Sequence, residues 1–257
     1  MDQFHGRPGP TTGITMFKKF FSASPASAEQ PAAPVRTPLA DLTKKAAYSL
    51  QKSGLSGQRA AVYLVLDRSG SMRKYYSDGT VQYLAERILG LARNLDDDGA
   101  VPVTFFSTEV DGTITVSVDD YAGRIEAAHN GMGHMGRTHY ATALRAVLEQ
   151  HRQSGATAPA LIVFQTDGNP DDRAEVISLM HEIVGENEEE AVDAFVAFVA
   201  FGKKVDFLRT LDVLGLRADH VSLFQADEPE QIADEELYDG ITHEFVPWLR
   251  SRQLAGR

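Results

Sequence analysis

Cysteine is absent from the 257 residues, which excludes disulfides, thiolate zinc sites, iron–sulfur clusters and cysteine nucleophiles. Nor does any apolar run approach the roughly 18–20 residues that span a bilayer, so no stable membrane insertion is expected. The N-terminal "MDQFHGRPGPTTGITMFKKFF" has no continuous apolar core and no cleavage-like site. It reads as no signal peptide, and a cytoplasmic location is expected. Basic charge is scarce: 25 Lys and Arg face 36 Asp and Glu, for a net charge of −11. Phosphate backbones need a basic face, so nucleic acid is not an expected partner. Also missing are a G-x-S-x-G nucleophile elbow and a Walker A lysine. His181-Glu182 and His243-Glu244 do not continue into H-E-x-x-H, because the fifth positions are Gly185 and Pro247.

Hydrophobic residues at 43% and charged residues at 24% are the proportions of a folded globular chain rather than a disordered one. Residues 1–38 stand apart, holding six of the eleven prolines. Within them "SASPASAEQPAAPVRTP" reads as a flexible tail and linker. Met16, which offers an alternative start, and Phe17, Phe20 and Phe21 flank two lysines as a candidate docking element. Residues 39–257 form one domain in which apolar strands alternate with amphipathic helices. "AAVYLVLD", "VPVTFFS", "ALIVFQTD", "DAFVAFVAFG" and "HVSLFQA" read as strands, and "GTITVSV" as a strand pairing antiparallel at an edge. "TVQYLAERILGLARNL" places Val81, Leu84, Ile88, Leu91 and Leu95 on one helical face. "LADLTKKAAYSLQKS" suits a helix or an irregular clasp, and the pair Asp171–Asp172 is expected to cap the helix that follows it. Strands apolar on both faces need helices on both sides. The fold class is therefore α/β: a doubly wound, mainly parallel central sheet of about six strands with one antiparallel edge strand, flanked by helices.

One stretch breaks the inert pattern of strand followed by turn. "VYLVLDRSGSM" runs from apolar strand into Asp67-x-Ser69-x-Ser71. In a doubly wound sheet, ligands bind at the carboxyl ends of the strands where the topology switches. Asp67 ends its strand there, and so does Asp167 in "TDGNPDD"; Thr138 lies in the loop "GRTHYATAL". Five hard oxygen groups from three loops could thus converge. Carboxylates and hydroxyls without sulfur or imidazole favour a divalent metal of the hard class, Mg²⁺ first, with Ca²⁺ or Mn²⁺ as alternatives. With only two formal negative charges in the set, the ion stays electrophilic and keeps a position for an outside carboxylate.

These residues resemble a von Willebrand factor A domain over about residues 40–250. Asp67-x-Ser69-x-Ser71 after a hydrophobic strand, Thr138 in a loop 71 positions later, and Asp167 in "TDG" match all five positions of that family's metal-ion-dependent adhesion site. A narrower resemblance, carried by "LTKKAAYSLQKSGL", "AAVYLVLDRSGSM" and "YYSDGTVQYLAERILGLA", is to the A-type domain of bacterial tellurium-resistance and chemical-stress proteins. It implies a cytoplasmic, non-enzymatic interaction module with no catalytic residues, in which the metal captures an acidic residue of a protein partner. Many A domains carry "GGT" or "GNT" before the threonine, whereas this chain has Gly136-Arg137-Thr138. Arg137 sets a cation beside the ion. Two other readings use the same residues: a metal-dependent hydrolase of phosphate or acyl esters, with Asp171, Asp172 or His139 as general base, or an A-domain subunit of an ATP-driven complex.

Other signals read as structural. "GMGHMG" matches G-x-G-x-x-G but follows a helix rather than a strand, and its glycines are expected to give the Thr138 loop freedom. His129, His134 and His139 match no helical face, and the acidic run at 186–190 reads as a solvated surface.

Overall fold

Ala61–Asp67 (β1) is apolar up to its last residue, and every position is buried. Such a strand must be covered on both faces, and the side chains alternate accordingly. Val62, Leu64 and Leu66 enter one core, while Ala61, Tyr63 and Val65 enter another. This computed structural model describes residues 36–185, 192–212 and 220–254. The tail through Val35, with its Met16–Phe21 element, and the acidic run at 186–190 lie outside the described residues.

The remaining strands are Ala100–Phe106 (β2), Val110–Ser117 (β3), Ala160–Thr166 (β4), Ala194–Phe201 (β5) and Val221–Ala226 (β6). They line up in the order β3-β2-β1-β4-β5-β6. Every pairing is parallel except β2 with β3, the antiparallel edge expected from "GTITVSV". β1 is central, with Leu64 opposite Val103 on one side and Val163 on the other. One layer of helices holds Leu39–Ser53 (α1), Thr80–Leu95 (α3), Arg124–Gly131 (α4), Asp234–Thr242 (α8) and Phe245–Leu254 (α9), which enclose the first core. The opposite layer holds Tyr140–Ser154 (α5), Arg173–Val184 (α6) and Asp206–Asp212 (α7). A 3₁₀ turn, Gly70–Met72, and the short helix Arg73–Ser77 (α2) lead away from β1. No helix among the described residues is long and apolar enough to cross a membrane.

The stretch 39–53, helix or clasp by sequence, is a helix that also clasps. Leu42 and Ala46 are fully buried, and α1 approaches α3 at Gly90. A Cβ there would lie 3.0 Å from Leu42 Cβ and 3.2 Å from the Tyr238 hydroxyl. Glycine inside a helix costs about 1 kcal/mol relative to alanine; here close helix packing offsets it. Gly90→Val is expected to destabilise the fold by about 1–3 kcal/mol, as overpacking does. A denaturant titration in which the variant's midpoint equals the wild type's would contradict this close approach.

The first layer is also pinned by one buried carboxylate. Asp234 accepts hydrogen bonds from Arg87 Nε (2.8 Å), Tyr83 Oη (2.9 Å), Thr37 Oγ1 (2.8 Å) and Lys45 Nζ (2.9 Å). Its partners come from α1, α3 and the segment just before α1, so a single side chain in α8 closes that layer.

Candidate metal centre

The strand order reverses at β1, which pairs with β2 on one side and β4 on the other. At such a switch the two flanking crossovers leave in opposite directions and open a crevice at the carboxyl ends of the strands. Asp67 is the last residue of β1, and Asp167 immediately follows β4. Sequence and topology therefore put both carboxylates at the same end of adjacent strands.

Asp67 is fully buried. One carboxylate oxygen accepts from the Ser69 amide (2.5 Å) and the other from the Thr166 hydroxyl (2.7 Å). Both donors are neutral, and burial pushes the carboxyl up to about 7, against the downward pull of those bonds. Ser69 Oγ lies 3.2 Å from Ser71 Oγ, which donates to Asp167 Oδ1 at 2.7 Å. Burial also raises the Asp167 carboxyl above its ordinary value. Four of the five candidate ligands thus form one chain of contacts from Asp67 through Ser69 and Ser71 to Asp167.

Thr138 is brought beside this chain by its backbone. The Gly70 amide donates to the Gly136 carbonyl (3.3 Å), joining the Thr138 loop to the Ser69–Ser71 turn. From the other side, the Asp171 amide donates to the Thr138 carbonyl (2.8 Å). The His139 amide donates to the Ser107 carbonyl (3.0 Å) and the Arg137 amide to Thr108 Oγ1 (3.0 Å). Gly136 is held so closely that a Cβ would sit 2.7 Å from both Ser107 Oγ and Thr108 Oγ1. This glycine therefore serves close approach rather than the loop freedom expected of it. Gly136→Ala should displace the loop and weaken ion binding by about 10-fold, the scale of loss seen for supporting-shell changes. Unchanged affinity in a calorimetric titration would contradict it.

Asp171 and Asp172 do not act as the expected cap. The Asp172 side chain makes no capping bond to α6. Its carboxylate instead accepts from the Tyr140 amide (3.1 Å) and the Ala141 amide (2.9 Å), closing the start of α5. Asp171 pairs with Arg137, at 3.0 and 3.3 Å, and the guanidinium holds its carboxyl below the ordinary value. A helix cap is a local rule; here the nearer orphan amides belong to a different helix.

Four supporting residues lie outside the ligand motif. Thr166 orients Asp67, and the Tyr140 hydroxyl is shared between Thr166 Oγ1, 3.0 Å away, and the Gly168 carbonyl. Tyr76 donates to the Asp67 carbonyl (3.0 Å). Arg68, between two candidate ligands, has its side chain buried and turned away from them towards Asp111. The signal for Thr166 was its place as the polar last residue of an apolar strand; Tyr76 and Tyr140 carried none that separates them from core aromatics.

Among the described residues, no group of three or more His, Asp or Glu is placed to hold a metal. The site therefore offers two carboxylates and hydroxyls, without imidazole. That donor set suits a hard divalent cation and not zinc or copper. A buried carboxylate satisfied only by neutral donors is also a place where positive charge is favourable. The residues fit the ion that the motif implies.

The chain is 34% identical over 223 residues to the uncharacterized protein YcbR of Bacillus subtilis (strain 168), covering 84% of this chain and 88% of that one. In fold it is similar to a von Willebrand factor type A structure from Catenulispora acidiphila, with a TM-score of 0.52 and 14% identity, over 72% of this chain and 42% of that one. The ArnB paralog VWA2 from Sulfolobus acidocaldarius matches with a TM-score of 0.41 and 15% identity, over 68% of this chain and 43% of that one. The chain thus spans less than half the length of either solved structure. Residues 59–257 match the vWA-TerF-like family, described as the vWA found in the TerF C terminus, and the chain belongs to that family.

Proposed function

We propose that this protein is a non-enzymatic, metal-dependent interaction module, which uses a divalent cation, Mg²⁺ foremost, to capture an acidic residue of a protein partner. Asp67, Ser69, Ser71, Thr138 and Asp167 would hold the ion, directly or through water. The ion would supply an electrophilic position to which a partner carboxylate can bind. Its setting, by family, is bacterial tellurium or chemical-stress resistance in the cytoplasm.

The observation that carries this reading is the continuous chain Asp67–Ser69–Ser71–Asp167 at the topological switch point. The chain's own residues prepare the site in distinct ways. Thr166 and the Ser69 amide orient the Asp67 carboxylate, and Ser71 aligns Asp167. Arg137 is exposed and paired with Asp171, so an incoming acid would have to share its guanidinium with that carboxylate. The carboxylates that a hydrolytic mechanism would recruit as base are engaged elsewhere: Asp171 by Arg137, and Asp172 by the start of α5.

The test is a calorimetric titration of Mg²⁺, Mn²⁺ and Ca²⁺ into wild type and Asp67→Ala, without and with acetate or glutamate. One-site binding that is strengthened by the carboxylate and lost in the variant is expected. Silence in the wild type under both conditions would sink the metal-dependent reading.

A further inference from the structure

Arg68 occupies the first variable position of Asp67-x-Ser69-x-Ser71, where a surface turn would tolerate almost any side chain. Its own is instead 1% exposed, and each nitrogen of the guanidinium has a partner. Nη1 donates to Asp111 Oδ2 (2.6 Å), Nη2 to the Gly133 carbonyl (2.9 Å), and Nε to His129 Nδ1 (3.1 Å). The backbone amide of the same residue donates to the Phe106 carbonyl (2.6 Å). A rigid planar fork of this kind fixes three partners at once, which a lysine cannot do.

The three partners divide in a telling way. Asp111 lies on β3 and also accepts from Ser107 Oγ (2.8 Å), so that arm braces the β2–β3 hairpin. His129 lies in the last turn of α4, and Gly133 just beyond that helix in the glycine-rich stretch that leads to Thr138. The His129 ring stacks on Tyr76, with centroids 4.0 Å apart and planes at 11°, and Tyr76 in turn donates to the Asp67 carbonyl. A ring of contacts therefore runs from Asp67 to Tyr76, across the stack to His129, and through Arg68 back to Asp67. Bracing a hairpin would need only the Asp111 arm. The other two arms reach the end of α4 and the loop that leaves it.

We propose that Arg68 is a positioning residue for the metal centre: its guanidinium holds the loop bearing Thr138 in register with the Asp67–Ser71 turn, so that the two sides of the ligand set close as one unit. This deepens the metal-dependent reading and rests on it for its functional consequence. The positioning itself can be measured without metal. Burial and the Arg68 charge both lower the His129 pKa, in keeping with a ring nitrogen left unprotonated to accept from Arg68.

Arg68 is too deeply buried to replace cleanly, so the test uses its half-buried partner. His129→Phe keeps a ring to stack on Tyr76 but removes the acceptor. In His129→Asn the side-chain oxygen can take the place of Nδ1 while the ring is lost. Hydrogen exchange is followed at the Gly70, Arg137 and His139 amides, which fasten the loop. In metal-free protein, exchange about 10-fold faster in the Phe variant and near wild type in the Asn variant is expected. Mn²⁺ affinity should follow the same order, weaker by about 10-fold or more for Phe. Wild-type exchange in His129→Phe, or equal acceleration in both variants, would overturn the assignment. Failure of the wild type to take up Mn²⁺ would instead count against the metal reading, leaving the exchange result to decide Arg68's role.

Discussion

At pH 8 and without metal, Asp67→Asn is expected to melt at a higher temperature than the wild type, and to gain nothing when Mg²⁺ is added. The buried carboxyl has a folded value of about 7 against an ordinary 3.8. Between those values the native state holds a proton that the unfolded chain has released. Metal-free stability from this group is therefore fully present below about pH 4 and is lost as pH rises through about 7. A shift of this size corresponds to a few kcal/mol. An amide at position 67 carries no charge to desolvate, so the pH dependence should flatten. The amide keeps one acceptor oxygen for two donors, the Ser69 amide and the Thr166 hydroxyl, so one of those bonds is lost, which returns about 1 kcal/mol of the gain. In the wild type, Mg²⁺ at 100 times its dissociation constant should add about 2.7 kcal/mol, or roughly 5–10 °C for a domain of this size. Calorimetric melts of both proteins between pH 4 and 8, with and without ion, check all of this. A variant that melts lower at pH 8, or that still responds to Mg²⁺, would show that Asp67 is not the buried anion on which the site is built.

The largest purely structural effect is expected at Asp234. Asp234→Ala should destabilise the domain by about 3–5 kcal/mol, because it strands Arg87 as a buried cation without its carboxylate. The side chains of Arg87 and Asp234 are only 7% and 4% exposed. Tyr83 and Thr37 would lose their acceptor at the same time. Burial raises the Asp234 carboxyl, but the bonds from Lys45, Thr37 and Tyr83 and the charge of Arg87 outweigh it, so it titrates below the ordinary 3.8. Its contribution is present above that pH and is lost as pH falls through the lowered folded value. A fall in melting temperature on the order of 10 °C at pH 7 is expected. Lys45→Ala, which removes only the partly exposed partner, should cost no more than about 1 kcal/mol. Equal losses in the two variants would mean that the bonds from Arg87, Tyr83 and Thr37 add nothing beyond the Lys45 pair.

Much of the fold was legible because its strands are apolar on both faces. "ALIVFQT" and "AFVAFVAF" admit no solvent side, so a sheet covered by two helical layers follows from the residues alone. The antiparallel edge was legible from the alternation in "GTITVSV", whose exposed positions alternate with more buried ones. In the candidate site, strand ends located both carboxylates, because an apolar run that gives way to polar residues marks its own terminus.

Other features had no local trace. Asp172 follows a turn and precedes a helix, a cap by every sequence rule, yet it serves α5. Gly136 looked like a hinge and is a contact point. Arg68 carried no signal in the sequence, and only its position against Asp111, His129 and Gly133 shows it buried.

Hydrophobic period, strand ends and the kinds of oxygen at Asp67, Ser69, Ser71, Thr138 and Asp167 were thus determined by sequence alone. These are properties of single segments. The tertiary structure decided which groups share one environment: three contacts through two serines linking Asp67 to Asp167, and four donors converging on Asp234. It also decided that one guanidinium would face three partners up to 65 positions away. Desolvation and hydrogen-bond geometry depend on what lies across space, and no residue's immediate neighbours in the chain specify that.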